Sequence, residues 1–240
     1  MNYIEYFRKR TILTDGKSNT KTAKNSMSTF YLSLQPTDLN SKKLNLCRFS
    51  TKECRNACLQ FAGRQSFNNV VLSRQRKTEY LINHEKHFVD KMYEELKTLN
   101  QKGNVAIRLN LLSDVDWEEK LNIFNKSLSE FSNIQFYDYT KSFDKVYNNK
   151  VSNYNLTFSF SGYNLDKATI LLKEKITNVA VVFKNSVPLQ WNGFDVINGD
   201  LSDERFLDEK GCIIGLKYKI PRGVPYVKNK FVIDESTITV

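Results

Sequence analysis

The sequence lacks the features of several common protein classes. It contains no run of about 18 apolar residues, the length that a membrane-spanning helix needs, and its first ten residues, MNYIEYFRKR, lack the apolar core of a signal peptide. It has no G-x-x-x-x-G-K-[ST] or G-x-G-x-x-G phosphate loop, no G-x-S-x-G elbow and no H-E-x-x-H helix. We therefore expect a cytoplasmic protein without a membrane partner, and no motif indicates a hydrolase.

Acidic residues are scarce relative to basic ones. The 36 Lys and Arg residues against 26 Asp and Glu give a formal net charge of +10, and the pI is about 9.3. Such an excess is typical of proteins that bind nucleic acid or another polyanion, although an AT-rich genome also raises the Lys content. With 240 residues, of which 40% are hydrophobic, the chain is long enough for one barrel-sized α/β domain or two small domains.

Cysteine is scarce too, but three of the four cysteines fall in one loop, residues 44–64. Cys47, Cys54 and Cys58 form a C-x6-C-x3-C pattern among basic neighbours, which stabilise the thiolate form that binds metals. Inert buried thiols are an alternative, and a reducing cytoplasm disfavours a disulfide. Three thiolates leave one iron of a 4Fe–4S cluster open, whereas a structural zinc needs four ligands. We predict an iron–sulfur cluster on the three cysteines, with zinc as the alternative.

Around this loop, strand-like and helical segments alternate. Strands are predicted over residues 29–34, 104–110, 134–140, 154–161, 178–184, 194–198 and 211–219, and helices over 84–100, 117–131 and 165–175, with a short helix from Lys141. This alternation predicts parallel βαβ units. We expect a partial, TIM-like βα barrel over residues 29–222, preceded by an N-terminal arm (1–28) and followed by a tail (223–240). A doubly wound sheet shares the alternation and stays an alternative.

Several predicted strands have one apolar and one polar face. In residues 104–110, Val105, Ile107 and Leu109 share one face, and Ala106, Arg108 and Asn110 share the other. A parallel sheet covered on both faces would be apolar throughout, so we expect a polar barrel interior, although an exposed antiparallel sheet would give the same pattern. The candidate catalytic residues are Arg108, Asn110, Asp114, Asp138, Ser159 and Lys217. Cys212 falls on an apolar face and is expected in the core.

Two basic clusters are candidates for phosphate contacts. One contains Arg74, Arg76 and Lys77, and the other contains Lys219 and Arg222. Lys and Arg that neutralise phosphates supply most of the sequence-independent affinity for nucleic acid. The aromatic residues of 136–139 either stack on a base or pack in the core.

A series of ordered motifs resembles a known family. They are LNLC-x6-C-x3-CL-x3-GR from residue 44, RKT at 76–78, RLN-x2-SD-x2-WE at 108–118, FYDYTK at 136–141, NYNLTFS at 153–159, NVAVVFK at 178–184, GD at 199–200 and GLKYK at 215–219. Over residues 30–220 the chain resembles the gene product 88 family of tailed phages and related mobile elements. That resemblance implies a phage-encoded protein in the host cytoplasm.

The cysteine loop followed by βα units is in turn similar to radical S-adenosylmethionine enzymes. That similarity implies a partial or full barrel with a three-cysteine cluster loop after the first strand. The Cys54–Cys58 spacing fits the first half of the C-x3-C-x2-C pattern of those enzymes, but the next cysteine is absent. Asn110 to Asp114 stands where their methionine-binding turn would lie.

Two functions follow as hypotheses. In the first, the chain is an iron–sulfur protein of a phage or mobile element that acts as a radical or redox enzyme, with S-adenosylmethionine as a candidate cofactor on the open iron. In the second, it is a non-catalytic nucleic-acid-binding protein in which zinc or a cluster only holds the loop. A host protein is a further candidate partner.

Overall fold

The structure is a computed structural model that describes residues 1–18, 22–221, 223 and 226–237. The helices are α1 (Tyr3–Arg8), α2 (Lys52–Asn56), α3 (Asn68–Asn83), α4 (Glu85–Lys102), α5 (Trp117–Asn122), α6 (Phe143–Tyr147) and α7 (Leu165–Lys173). The strands are β1 (Thr14–Asp15), β2 (Ser28–Tyr31), β3 (Val105–Arg108), β4 (Ile134–Thr140), β5 (Tyr154–Ser159), β6 (Val179–Phe183), β7 (Gln190–Trp191), β8 (Phe194–Asn198), β9 (Ile213–Lys217) and β10 (Val232–Ile233). The predicted mixed α/β class is confirmed.

The chain divides into two compact units. The first contains Met1–Arg48, Asn68–Asp138 and Lys150–Asn155, and the second contains Phe49–Phe67, Tyr139–Asn149 and Leu156–Val240. Residues 1–28, for which an arm is predicted, contain α1 and β1 and belong to the first unit.

In the first unit, β2, β3 and β4 pair in parallel and in chain order, and β1 pairs antiparallel with β2. Helix α4 packs on β3 with the buried stripe that its periodicity predicts: Phe88, Met92, Leu96 and Leu99. The ring of Phe88 stacks on that of Trp117, with 6.2 Å between centroids. Ala106 lies on the face for which a polar barrel interior is expected, but it is as buried as Val105 and Ile107. Both faces of β3 are therefore covered at these residues.

In the second unit, β5 from Leu156 onward pairs in parallel with β6, and β6 pairs in parallel with β9. β8 pairs in parallel with β9, and the two-residue β7 pairs antiparallel with β8. β10 pairs in parallel with Val182 and Phe183, beyond the residues of β6 that pair with β5. Among the described residues β1 and β7 have one partner each, so the pairings do not form a closed barrel.

Some predicted elements have different limits. The strand expected over 29–34 ends at Tyr31, and the helix expected over 117–131 ends at Asn122. Asn125 then has a positive φ of 54°, which a continuous helix does not allow, and Ser127 starts a new 3₁₀ turn over Leu128–Glu130 through a capping box with Glu130. No helix in the described part of the chain is long and apolar enough to cross a membrane.

Candidate functional site

The predicted metal ligands lie in segments with little regular structure. Cys47 and Cys54 are buried and Cys58 is half-buried, and none of the three forms a disulfide. The Thr51 side chain caps α2 by accepting a hydrogen bond from the Cys54 N–H (3.2 Å). Within the described residues, no three His, Cys, Asp or Glu side chains are placed together as metal ligands. The metal role of these cysteines therefore stays a prediction.

The fourth cysteine differs from expectation. Cys212 is half-buried rather than a core residue, and it precedes β9 instead of lying in it. Its partial burial raises the pKa of the thiol, and the nearby Glu209 adds to that shift.

Asp138, a predicted catalytic residue, is the centre of a buried hydrogen-bond network in the first unit. One carboxylate oxygen accepts a hydrogen bond from the Asn110 N–H (2.8 Å), and the other accepts one from the Tyr154 hydroxyl (2.8 Å). Burial, followed by the charge of Asp138, raises the pKa of Tyr154 well above its usual range. The phenol therefore remains a donor to the carboxylate at physiological pH.

The Asn110 side chain extends this network into the loop after β3. Its Oδ1 accepts hydrogen bonds from the Val115 N–H (2.9 Å) and the Ser113 hydroxyl (3.0 Å), and its Nδ2 donates to the Val115 carbonyl (2.9 Å). The structure thus brings two predicted site residues, Asn110 and Asp138, together. Their contacts fix the β3–α5 loop to β4.

The structure places the other four predicted catalytic residues at different positions. The Arg108 guanidinium lies 5.7 Å from the centre of the Tyr137 ring, and the buried Asp114 donates its N–H to the Leu46 carbonyl (2.7 Å). In the second unit, Ser159 ends β5 and Lys217 ends β9, with β6 between these strands. The catalytic role assigned to all six residues stays a prediction.

The basic residues predicted to contact phosphates are in different environments. Arg74 is buried and donates through Nε to the Gln35 side chain (3.0 Å), and Lys77 is buried and donates to Thr14. Arg74 is therefore not at the surface, contrary to the expectation for a residue that contacts phosphates. Arg76 is half-buried against Tyr6, and the exposed Lys219 pairs with Asp200 at 3.2 Å. Arg222 lies outside the described residues.

Of the three aromatic residues in 136–139, two are buried and pack in the core, and Tyr139 is half-buried. Phe136 and Tyr137 are fully buried, because they lie in the middle of β4. The aromatic side chains that are accessible lie elsewhere, in the second unit. They include Phe49, Phe61 and Phe67 in the cysteine segment and Tyr163 after β5.

Tyr163 connects three parts of the second unit into one exposed surface. Its hydroxyl donates to Glu53 of α2 (2.7 Å), which lowers the pKa of the Glu53 carboxyl, and the Lys230 ammonium lies 4.9 Å from the centre of its ring. Lys52 and Arg55 flank Glu53 on α2 and are exposed. We name Phe49, Lys52, Arg55, Tyr163 and Lys230 the α2–Tyr163 surface.

Backbone contacts hold this surface in place. The Thr51 hydroxyl donates to the Ser161 carbonyl (3.2 Å), and Gly162, with a φ of 92°, approaches the backbone of Lys230 so closely that a Cβ atom would lie 2.8 Å from its carbonyl carbon. The sequence analysis missed the surface because it assigned the basic residues to the thiolates. The alternation of aromatic and basic residues from Phe49 to Phe67 was the signal for it.

Comparison with known proteins gives the chain a family. Neither a search of curated proteins nor a search of solved structures found a match. The family model described as Gene product 88 matches residues 8–227, which is most of the chain. It includes the cysteine loop and every strand from β1 to β9. The chain therefore belongs to the phage Gene product 88 family.

Proposed function

We propose that this protein binds single-stranded nucleic acid through the α2–Tyr163 surface. The observation that supports it most is the exposed ring of Tyr163, 55% accessible, with the Lys230 ammonium over it and α2 beside it. An aromatic face next to basic groups is the combination that binds an unpaired base and its phosphate. Phe49, 51% accessible, supplies a second ring in the same segment.

The charge of the surface fits a polyanion. Lys52, Arg55 and Lys230 are exposed cations, and the one carboxylate of α2, Glu53, already accepts the Tyr163 hydroxyl. This local excess agrees with the +10 charge of the whole chain. Duplex DNA would offer the same phosphates but would hide the base faces, so the two rings favour a single strand.

Equilibrium binding of a labelled single-stranded oligonucleotide, measured by fluorescence anisotropy, tests the proposal. We expect Y163A to weaken binding by about 5- to 150-fold, because one stacked base contributes roughly 1–3 kcal/mol. R55Q should also lower the slope of log K against log salt by about 0.7. A duplex of the same sequence should bind more weakly than the single strand.

Lys210 supplies a matched control. It is exposed and precedes β9, whereas Tyr163 follows β5, and parallel strands place these ends at opposite edges of the second unit's sheet. K210Q should leave the affinity within twofold. No binding of wild type at low salt, or equal loss in K210Q and R55Q, would reject the proposal.

The iron–sulfur hypothesis is the second candidate function. It is favoured by the position of the cysteine loop after β2, the first parallel strand, and by the chain-order pairing of β2, β3 and β4 in the first unit. Successive crossovers in one direction are typical of barrels, whereas a doubly wound sheet reverses its order. In this proposal Cys47, Cys54 and Cys58 would hold the cluster and S-adenosylmethionine would supply the radical chemistry.

Anaerobic purification with iron and sulfide analysis tests this candidate. We expect iron, sulfide and an absorption band that dithionite bleaches, and we expect C47A, C54A and C58A each to remove them. Retention of the band in all three variants, or a colourless protein that contains zinc or no metal, would reject it. C212A is the matched control and should keep the wild-type spectrum.

A further inference from the structure

A cavity of about 130 Å³ in the first unit is lined by basic residues. It lies among α1, β1 and α3, and its volume is well above the ~15 Å³ that one water molecule requires. Arg10, Arg76 and Lys77 line it together with hydroxyl-bearing residues such as Thr14 and Ser73. No Asp or Glu is among the described residues that line it.

The two arginines are held beside the cavity by one aromatic ring. The guanidinium carbons of Arg10 and Arg76 lie 4.3 Å and 5.2 Å from the centre of the Tyr6 ring. Arg10 also donates to the Tyr6 carbonyl (3.0 Å), and Arg76 donates to the Tyr6 hydroxyl (3.1 Å). Two positive charges on one ring repel each other, and an anion between them would offset that repulsion.

Lys77 adds a third, buried charge. Its residue is only 5% exposed, and its ammonium donates to the Thr14 hydroxyl (2.8 Å). Burial lowers its pKa to about 8, against the opposite effect of Glu95, so the amine remains mostly protonated at neutral pH. The Glu95 carboxylate itself accepts the Ile12 and Leu13 N–H groups and pairs with Lys91 at 3.2 Å.

Within the described part of the chain, no carboxylate lies within 4 Å of these three cations as an ion-pair partner. A buried ammonium without a counter-ion is costly. The hydrogen bonds described above fix Lys77 and the two arginines in place. These cations therefore form a preorganised set of donors for an anion.

We propose that this cavity binds a phosphate group. Phosphate oxygens would accept from the Lys77 ammonium and the two guanidiniums, with the Ser73 hydroxyl as a further donor. The group could belong to free phosphate or a small phosphate monoester, or to the terminal phosphate of a nucleic acid. The site is independent of the α2–Tyr163 surface, so either proposal can fail without the other.

Isothermal titration of the full-length protein with inorganic phosphate tests the site. We expect R76Q and R10Q each to weaken binding at least tenfold, because each removes one charged donor. Arg10 is exposed, so R10Q tests the cavity without disturbing the core. Arg8, which pairs with Glu5 at 2.9 Å and does not line the cavity, is the matched control, and R8Q should change the affinity less than twofold.

A second titration identifies the source of the phosphate. Two oligonucleotides of one sequence, one with a 5′-phosphate and one with a 5′-hydroxyl, are compared in wild type and R76Q. A tenfold preference for the 5′-phosphate that R76Q abolishes would support a nucleic-acid end, and binding of inorganic phosphate without that preference would support a small phosphate ligand. No binding of phosphate to wild type, or equal losses in R8Q and R76Q, would overturn the proposal.

Discussion

Two polar clusters of the first unit differ in how well their groups are satisfied. In the Asp138 network, Asn110 and Tyr154 direct donors at the carboxylate, and Asn110 in turn holds the loop after β3. In the cavity, Arg10, Arg76 and Lys77 are fixed by aromatic and hydroxyl contacts, and among the described residues no carboxylate forms an ion pair with them. The carboxylate of the first cluster is hydrogen-bonded within the protein, whereas the cations of the second cluster would be neutralised by a bound anion.

This difference separates stability from binding. A buried polar network whose members bond to one another rigidifies the fold. A cluster of like charges destabilises the fold until a ligand arrives, which is the usual cost of a preorganised site. Substitutions in the Asp138 network should therefore lower the free energy of unfolding and leave phosphate affinity unchanged. Substitutions in the cavity should weaken phosphate binding without lowering stability.

The largest expected effect is that of D138A. It leaves two buried donors, the Asn110 N–H and the Tyr154 hydroxyl, without their acceptor, at a cost of roughly 3–5 kcal/mol in the free energy of unfolding. Thermal unfolding should show a Tm lower by about 10 °C. D166A, at an exposed position on α7, should cost less than about 1 kcal/mol. A stable D138A protein that has lost ligand binding would reverse the comparison.

Phosphate itself should stabilise the wild-type protein. At a free concentration 100 times the Kd, binding to the folded state adds about 2.7 kcal/mol to the free energy of unfolding. Differential scanning fluorimetry should show a rise in Tm with phosphate for wild type and R8Q but not for R76Q. A matched sulfate titration shows how far the site distinguishes tetrahedral anions. An equal rise in R76Q would mean that the anion binds elsewhere.

Replacement of Lys77 by Met should stabilise the protein at neutral pH while it weakens phosphate binding. The folded-state pKa of about 8 lies below the ordinary value of 10.5, so the unfolded chain binds the extra proton between these values. Wild-type stability therefore rises with pH from about 8 to about 10.5, by up to ~3 kcal/mol from this group. The advantage of K77M at pH 7 is therefore at most the same ~3 kcal/mol, less the contribution of the lost Thr14 hydrogen bond, and it should shrink over the same pH range.

Urea unfolding at pH 7 and pH 10 measures this change. The exposed Lys86, which pairs with Asp90 at 2.7 Å, provides the control, because K86M should alter stability by less than about 0.5 kcal/mol at both pH values. A K77M protein that is less stable than wild type at pH 7 would show that the Thr14 contact outweighs the burial of the charge.

The smallest effect is expected from Y154F. It removes one donor from Asp138 without opening a cavity, and it should cost about 1–2 kcal/mol. Phosphate affinity should stay unchanged. Y147F, at an exposed tyrosine of α6, should be neutral by the same urea titration. A loss of phosphate affinity in Y154F would show that the two clusters are coupled.

The sequence predicted elements with clear periodicity. β4 has the predicted limits, residues 134–140, and the stripe of α4 is buried as expected. Helix α3 was not predicted, because the side chains that it buries include Arg74, Lys77 and Thr78. Because these buried residues are polar, the sequence of α3 lacks the hydrophobic periodicity from which a packed helix is predicted.

For the sites, the sequence predicts individual polar residues but not the contacts between them. Asn110 and Asp138 were recognised as polar groups near strand ends, but only the structure shows that they bond to each other. Arg76 and Lys77 are predicted from the sequence to contact phosphates, but Tyr6 and Arg10, which line the same cavity, lie more than sixty residues earlier in the chain. Contacts over such separations depend on tertiary packing, which local patterns do not encode.

The separation of the parallel strands along the sequence has a consequence for how the protein folds. β3 and β4 are joined by residues 109–133, whereas β2 and β3 are joined by residues 32–104. Closing a longer loop costs more entropy and slows the pairing of its ends. We therefore expect β3 and β4 to pair early in folding and β2 to dock late, together with β1, which pairs with β2 and carries Thr14 of the cavity.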